Sequence, residues 1–285
     1  MSGLLGERGI ITDLFGGLGN GMFIIAGGHV TSRIQKCPFY IPYIHPEKNP
    51  HNHMKRDYRE NIFRNFGVKL DMHVDTARSA SIMSGHNYFT NGAFSRWDPS
   101  TIRPGTFVNS YFQYYPPFAA FEDELRYMFL SGIQEYRKRV LERVGSKEVL
   151  ACCAFLHIRR GDYLKHPTIH YNQTLEYYEK AVNRLCAEAD AMPEKIYVIS
   201  DDIAWVKSQP FFTANPIYDI FDSADELETM AFMSLCTAGA VCANSTFSWW
   251  GAFLGAYGAR RPVIVPSRWI SDPVESLFPN EWIVV

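Results

Sequence analysis

The sequence has no Cys-x-x-Cys pair, no apolar run long enough to cross a bilayer, no low-complexity tract and no heptad repeat. Each absence removes a class. Without zinc or redox spacing, the six cysteines at 37, 152, 153, 186, 236 and 242 read as reduced thiols, several of them in apolar core segments. Met1–Asp13 has only short apolar runs and carries Glu7 and Arg8, so neither a signal peptide nor an anchor is read there, and the chain is expected in the cytoplasm. Asn172-Gln-Thr and Asn244-Ser-Thr match the glycosylation sequon, but without an export signal they need not meet the machinery that uses it. An excess of positive charge is missing too. With 28 Lys and Arg against 30 Asp and Glu, the net charge of −2 gives no general means of neutralising a polyphosphate chain, so nucleic acid is excluded as the main partner.

What is present is an ordinary globular composition, 47% hydrophobic and 20% charged, over 285 residues, enough for two compact α/β halves. The sequence predicts a strand at Gly9–Leu14, a loop over Gly16–Gly21, a helix over Met22–Gln35 and a short strand over Phe39–Tyr43. From His45 to Pro104, the richness in His, Asn, Pro and aromatics predicts long loops and short helices carrying specificity. A strand is expected at Thr106–Phe112 and one or two helices over Phe118–Val144, ended by the turn at Gly145. Beyond it come strand Leu150–Ile158, helix Thr174–Ala189, strand Ile196–Ile199, helix Ser223–Cys236, strand Ala238–Ala243, helix Phe247–Ala256 and strand Pro262–Pro266. That alternation is the pattern of a parallel sheet covered by helices, in which ligands sit beyond the carboxyl ends of the strands.

Three of those ends carry polar clusters: His157-Ile-Arg-Arg-Gly-Asp-Tyr163, Ser200-Asp-Asp-Ile-Ala-Trp205 and Asn244-Ser-Thr-Phe-Ser-Trp-Trp-Gly251. Strand alternation, carried past the strand, sends His157 and Arg159 to one side and Arg160 and Asp162 to the other. A guanidinium there suits bidentate contact with phosphate, and it equally suits a brace to Asp162, which Arg160 is the better placed to make. Ser245 and Thr246 read as caps of the next helix, whose N-terminus is an anion site if it points at a ligand. Trp249 and Trp250 are adjacent on a helix and cannot share a face, so at least one is core.

Together with Gly16-Gly-Leu-Gly-Asn20, these strings resemble, in order and spacing from residue 16 to about 266, the α-1,2-fucosyltransferases of glycosyltransferase family 11. The resemblance implies a GT-B architecture: two Rossmann-like domains facing across a cleft, residues 1–145 on the acceptor side and 146–285 binding a GDP-sugar. It implies a metal-independent, inverting transfer of L-fucose from GDP-L-fucose to a glycan hydroxyl, with no cofactor. By the same resemblance His157 and Asp202 hold the guanine edge, Arg159 holds the β-phosphate with Arg160 beside it, and Ser245, Thr246 and Phe247 contact phosphate. Gly17, Gly19 and Asn20 approach the donor from the opposite domain, with Arg159 and Asn20 as the catalytic pair. A carboxylate reading the guanine N–H donors is chemically sound, because adenine lacks that donor pair. The chain departs from the family at Gly21, where Gln is usual, and at Ile24-Ile25, which replace Gln-Tyr; the effect of these replacements is expected on the donor-sugar side.

Direct displacement at the anomeric carbon needs stabilisation of the leaving diphosphate, assigned to Arg159 and a helix N-terminus. It also needs a base for the acceptor hydroxyl. Asp13, His29, His51, His53 and Asp57 are the candidates, none singled out by sequence. Two other classes compete. A dinucleotide oxidoreductase fits poorly, because Gly17-x-Gly19-x-x-Met22 lacks the third glycine and Tyr43 stands where an acidic residue is expected. A non-catalytic GDP-sugar binder or a transferase of another GDP-sugar shares the nucleotide contacts.

Overall fold

The computed structural model describes residues 8–41, 66, 87–255, 261–270 and 276–285. The chain divides into two compact units, Met1–Gly132 with Glu275–Pro279, and Ile133–Val274 with Asn280–Val285. Most of the expected loop region between His45 and Pro104 lies outside the described residues.

The first unit is built on a four-stranded sheet of β1 (Ile10–Thr12), β2 (Phe39–Tyr40), β3 (Asn87–Thr90) and β4 (Thr106–Asn109), in the order β2-β1-β4-β3. Every pairing in it is parallel. Helix α1 (Leu18–Gln35) begins four residues earlier than the sequence predicts, so Gly19, Asn20 and Gly21 belong to its first turns rather than to a loop. Gly16, at φ +77°, makes the turn into it, and a Cβ there would stand 2.5 Å from the Asn20 amide nitrogen. Only glycine fits both constraints. The helix is apolar on nearly all sides, as a helix enclosed by its own unit must be, and Met22, Phe23, Ile24 and Ile25 are fully buried. Ile24 and Ile25, which stand where the family has Gln-Tyr, are thus core residues here. Helix α2 (Glu122–Gly132) closes the unit, with Leu125 and Phe129 turned inward one helical turn apart.

The second unit opens with α3 (Gln134–Val144), which packs on a later helix, α8 (Glu226–Leu235), and is tied to it by Arg137 donating to Ser234 at 2.9 Å and Arg143 to Glu228 at 3.1 Å. The sequence reading groups this helix with residues 1–145; its packing groups it with the second unit. Ser146 caps a five-residue helix, α4 (Lys147–Ala151), which occupies part of the expected turn and the first two residues of the strand expected from Leu150. The strand proper, β5 (Cys153–Ile158), follows at once and is buried throughout. Then come α5 (Leu175–Glu188), β6 (Lys195–Ser200), α6 (Ile203–Ser208), α7 (Pro210–Thr213), β7 (Tyr218–Ile220), α8, β8 (Gly239–Val241), α9 (Thr246–Gly255), β9 (Val263–Val265) and β10 (Ile283–Val284). The sheet runs β10-β9-β8-β5-β6-β7 and is parallel in every pairing. Strands buried on both faces read as continuous apolar runs, which is why β5, β8 and β9 are visible in the sequence.

Each unit is therefore a Rossmann-like α/β layer, the fold class read from the sequence. Trp249 and Trp250 are both fully buried, packing with Phe253, so both are core. All six cysteines are free thiols; Cys152 is exposed, and the rest are wholly or partly buried. Among the described residues no helix is long and apolar enough to cross a membrane.

Candidate active site

Chain order fixes where a ligand can enter the second unit. From β5 the sheet grows one way through β6 and β7 and the other way through β8, β9 and β10. The carboxyl ends of β5 and β8 therefore flank the switch point, where helices leave on opposite faces and a crevice opens. The three polar clusters stand there, at the ends of β5, β6 and β8, which are direct neighbours.

His157 is the penultimate residue of β5 and only 4% exposed. Burial, with the charge of Arg159 adding to it, pushes its pKa down to about 3, so the imidazole is neutral at pH 7. Its Nδ1 is buried and has no hydrogen-bond partner among the described residues, and its ring lies 5.7 Å from that of Phe247, across the switch point on α9. An unpartnered buried nitrogen is costly, and a ligand edge with complementary polarity would satisfy it.

The strand ends at Ile158, so the alternation of faces does not extend to the arginines. Their partners are the reverse of those expected. Arg159 reaches Asp162 at 2.6 Å and Asp201 at 3.0 Å, so it is Arg159, not Arg160, that braces the loop through Asp162. Arg160 pairs with Asp202 at 3.1 Å and lies over the Trp205 ring at 4.2 Å, while its backbone N–H donates to Asp201 at 2.9 Å. The physical reason is the turn after β5, which swings the loop toward the end of β6 and brings two carboxylates within reach of both guanidinium groups. Gly161 is required for that approach, since a Cβ would stand 2.6 Å from the Asp201 carboxylate.

Asp202 has a second duty. Its other oxygen accepts the Trp205 N–H at 3.0 Å and caps α6. Both oxygens of the carboxylate are thus engaged, and a metal ion would have to compete with an arginine or a helix cap for them. Among the described residues no group of three or more His, Cys, Asp or Glu is placed to bind a metal ion.

At the end of β8 the Asn244 amide nitrogen donates to the carbonyls of Tyr171 and Trp269, both at 2.7 Å, pinning two loops to the turn before α9. Its side-chain oxygen is buried without a partner among the described residues. The Tyr163 hydroxyl donates to the Asn244 backbone carbonyl at 2.9 Å, joining the β5 loop to this turn. The Ser245 hydroxyl accepts the Phe247 N–H at 3.3 Å, the capping role open to it in sequence. Thr246 and Phe247 form the first turn of α9, at the positive end of its dipole.

The remaining residues lie in the first unit. Gly17 is the N-cap of α1 and has no described residue within 4 Å of where a Cβ would stand. Gly19 is buried in the helix. The Asn20 side-chain oxygen accepts from Gln113 at 3.1 Å, which fixes the amide's orientation. Of the base candidates, His29 is bound to Glu124 at 2.9 Å, and Asp13 follows β1 directly. His51, His53 and Asp57 are outside the described residues.

Sequence reasoning misses Gln113, for which no local signal exists, and gives Asp201 no role although the pair Asp201-Asp202 is visible. Only the approach of two strand ends shows that Asp201 joins both arginines.

Comparison with known proteins follows the same lines. The profile of glycosyl transferase family 11 matches residues 83–285. The O-antigen biosynthesis glycosyltransferase WbnK of Escherichia coli is 30% identical over 176 residues, 59% of this chain and 53% of that protein. An alpha-1,2-colitosyltransferase of Escherichia coli is 26% identical over 304 residues, 96% of this chain and 98% of that one. A galactoside 2-alpha-L-fucosyltransferase of Caenorhabditis elegans is 27% identical over 158 residues, 50% of this chain and 41% of that one. The chain thus spans about half the length of the first of these, less of the third, and nearly all of the second.

Proposed function

Because the chain belongs to glycosyl transferase family 11, its profile covering residues 83–285, we propose that it transfers L-fucose from GDP-L-fucose to a glycan hydroxyl, forming an α-1,2 linkage with inversion. The observation that carries this reading is the second unit's switch point: a neutral buried imidazole, a paired arginine fork and a helix N-terminus stand at the ends of three adjacent parallel strands. Such a place suits a nucleoside diphosphate.

In the proposed reaction the acceptor oxygen forms a bond to the anomeric carbon as the bond from that carbon to the β-phosphate oxygen breaks, and GDP leaves with the electron pair. Negative charge grows on the diphosphate. Arg159 and the N-terminus of α9 would meet it, without a metal or other cofactor. Asp162 and Asp201 hold both terminal nitrogens of Arg159, so donor binding would exchange carboxylate for phosphate on a guanidinium already in position. The unpartnered His157 Nδ1 is the group available to the guanine edge; Asp202 would take part from its place on Arg160 and Trp205. In the first unit, Gly17 has open space at its Cβ position among the described residues, and the Asn20 amide is held by Gln113.

A second reading, a donor carrying colitose, is favoured by the relative that aligns over 96% of this chain. The core location of Ile24 and Ile25 speaks to neither sugar. A screen of GDP-sugars against glycan acceptors, with anomeric configuration and linkage read by NMR, tests both. A β-configured donor giving an α-1,2 product supports the first reading; turnover with the colitose donor alone selects the second. GDP binding without transfer to any acceptor leaves a binding protein.

A further inference from the structure

We propose that Tyr163 is a positioning residue for phosphate recognition, holding the Arg159 guanidinium while that group changes partners; the assignment rests on the reading of Arg159 as the ligand of the leaving diphosphate. Arg159, Tyr163, His170, Asn172, Asn244 and Ile270 all belong to the second unit. The Arg159 Cζ lies over the Tyr163 ring, 5.4 Å from its centroid, within the range of a cation–π contact. His170 stacks on the same phenol, with centroids 4.0 Å apart and planes 7° from parallel. The hydroxyl donates to the Asn244 carbonyl at 2.9 Å, and the Tyr163 carbonyl accepts from the Asn172 amide at 3.3 Å. His170 is itself fixed, by an antiparallel bridge to Ile270 and by its N–H donating to the His166 carbonyl at 3.0 Å. The ring is thus anchored at its tip, its backbone and its face, and none of those anchors is Arg159.

Such a ring does what the carboxylates cannot. Asp162 and Asp201 orient Arg159 by occupying its terminal nitrogens, so a diphosphate competes with them for those groups. An aromatic face attracts the same cation without taking its N–H groups. Tyr163 therefore keeps hold of the guanidinium through the exchange, and the order it preserves is order that the diphosphate need not impose. Burial, partly offset by the Arg159 charge, pushes the phenol's pKa up to about 12, so the hydroxyl keeps the proton it donates to Asn244.

The test is a double-mutant cycle on GDP affinity, measured by calorimetry on the full chain, which needs neither acceptor nor turnover. Tyr163→Leu should weaken GDP about tenfold in the protein that keeps Arg159 and less than about twofold in Arg159→Ala, because the group through which Tyr163 acts is then gone. Tyr163→Phe keeps the ring, loses the Asn244 anchor and should cost about threefold. A tyrosine that only braces the loop would weaken GDP by the same factor in both backgrounds. That result, or a Tyr163→Leu protein that binds GDP as wild type does, overturns the proposal. If Tyr163→Leu does not fold, Tyr163→Phe carries the cycle alone: its cost should vanish in Arg159→Ala, and a cost that persists there, or none in either background, overturns the proposal. Wild-type GDP affinity in Arg159→Ala would instead refute the phosphate role of Arg159, and the assignment of Tyr163 would fall with the reading on which it stands.

Discussion

Arg160 Nε lies 3.1 Å from Asp202 Oδ2, while the opposite oxygen of the same carboxylate caps α6 at the Trp205 N–H. One side chain thus couples the loop after β5 to the helix after β6, and the indole of Trp205 covers the guanidinium at 4.2 Å. Arg159, a residue earlier, is more exposed, 33% against 19% for the side chain. The two arginines therefore hold this edge by different contacts, Arg159 through Asp162 and Asp201, Arg160 through Asp202 and Trp205.

That division is testable by conservative replacement. Arg159→Lys should reduce kcat and kcat/KM together by about 10²-fold or more, because an ammonium cannot make the two-pronged contact with a departing diphosphate, and should lower Tm less than Arg160→Lys because its ion pairs are the more exposed. Arg160→Lys should lower Tm as well as activity, since it loses the Asp202 pairing geometry and the stack on Trp205. Steady-state kinetics and thermal melts on both variants distinguish the roles; near-normal turnover in a folded Arg159→Lys protein would transfer the phosphate role to Arg160.

Nucleotide selectivity should follow from the ends of β5 and β6. GDP should raise the melting temperature while ADP, NAD and UDP at equal concentration do not, because only a ligand that prefers the native state shifts its stability. An equal rise with ADP would contradict guanine recognition.

Activity should persist in excess EDTA. The oxygens of Asp201 and Asp202 are taken by the Arg160 backbone, Arg159, Arg160 and the Trp205 N–H, so a cation would have to break ion pairs to enter. Loss of turnover on chelation with recovery on adding Mg²⁺ or Mn²⁺ would show that these carboxylates serve a metal.

Acid should destabilise the fold through His157. Its pKa falls from 6.5 to about 3 on folding, so below about pH 6.5 the unfolded chain takes up a proton that the native state does not, and stability falls as pH falls. Relative to His157→Asn, the wild-type protein should lose about 2 kcal/mol of unfolding free energy between pH 7 and pH 5. Asp13 works in the opposite sense: its raised pKa stabilises the native state at low pH, an advantage lost as pH rises through about 6. Wild type alone will therefore show a shallow pH profile. Denaturant melts of wild type, His157→Asn and Asp13→Asn across this range check both signs, and a wild-type–His157→Asn difference independent of pH would mean His157 is not buried neutral.

The sequence by itself determined the α/β class and the positions of the long elements, because strands buried on both faces leave apolar runs and helices leave a period that local composition carries. It also brought His157, Arg159, Arg160, Asp202 and the Asn244–Phe247 turn under one hypothesis, since each follows a recognisable strand and parallel strands share an edge. What it could not determine was who pairs with whom. The exchange of partners between Arg159 and Arg160 depends on a turn that brings the end of β5 against the end of β6, and the short helix α4 depends on Ser146 outcompeting an apolar run that reads equally well as strand. The raised pKa of Asp13, the contact made by Gln113 and the burial of Ile24 and Ile25 were likewise decided by tertiary structure, because the pKa of a carboxylate, the orientation of an amide and the face an isoleucine presents all depend on neighbours distant in the chain.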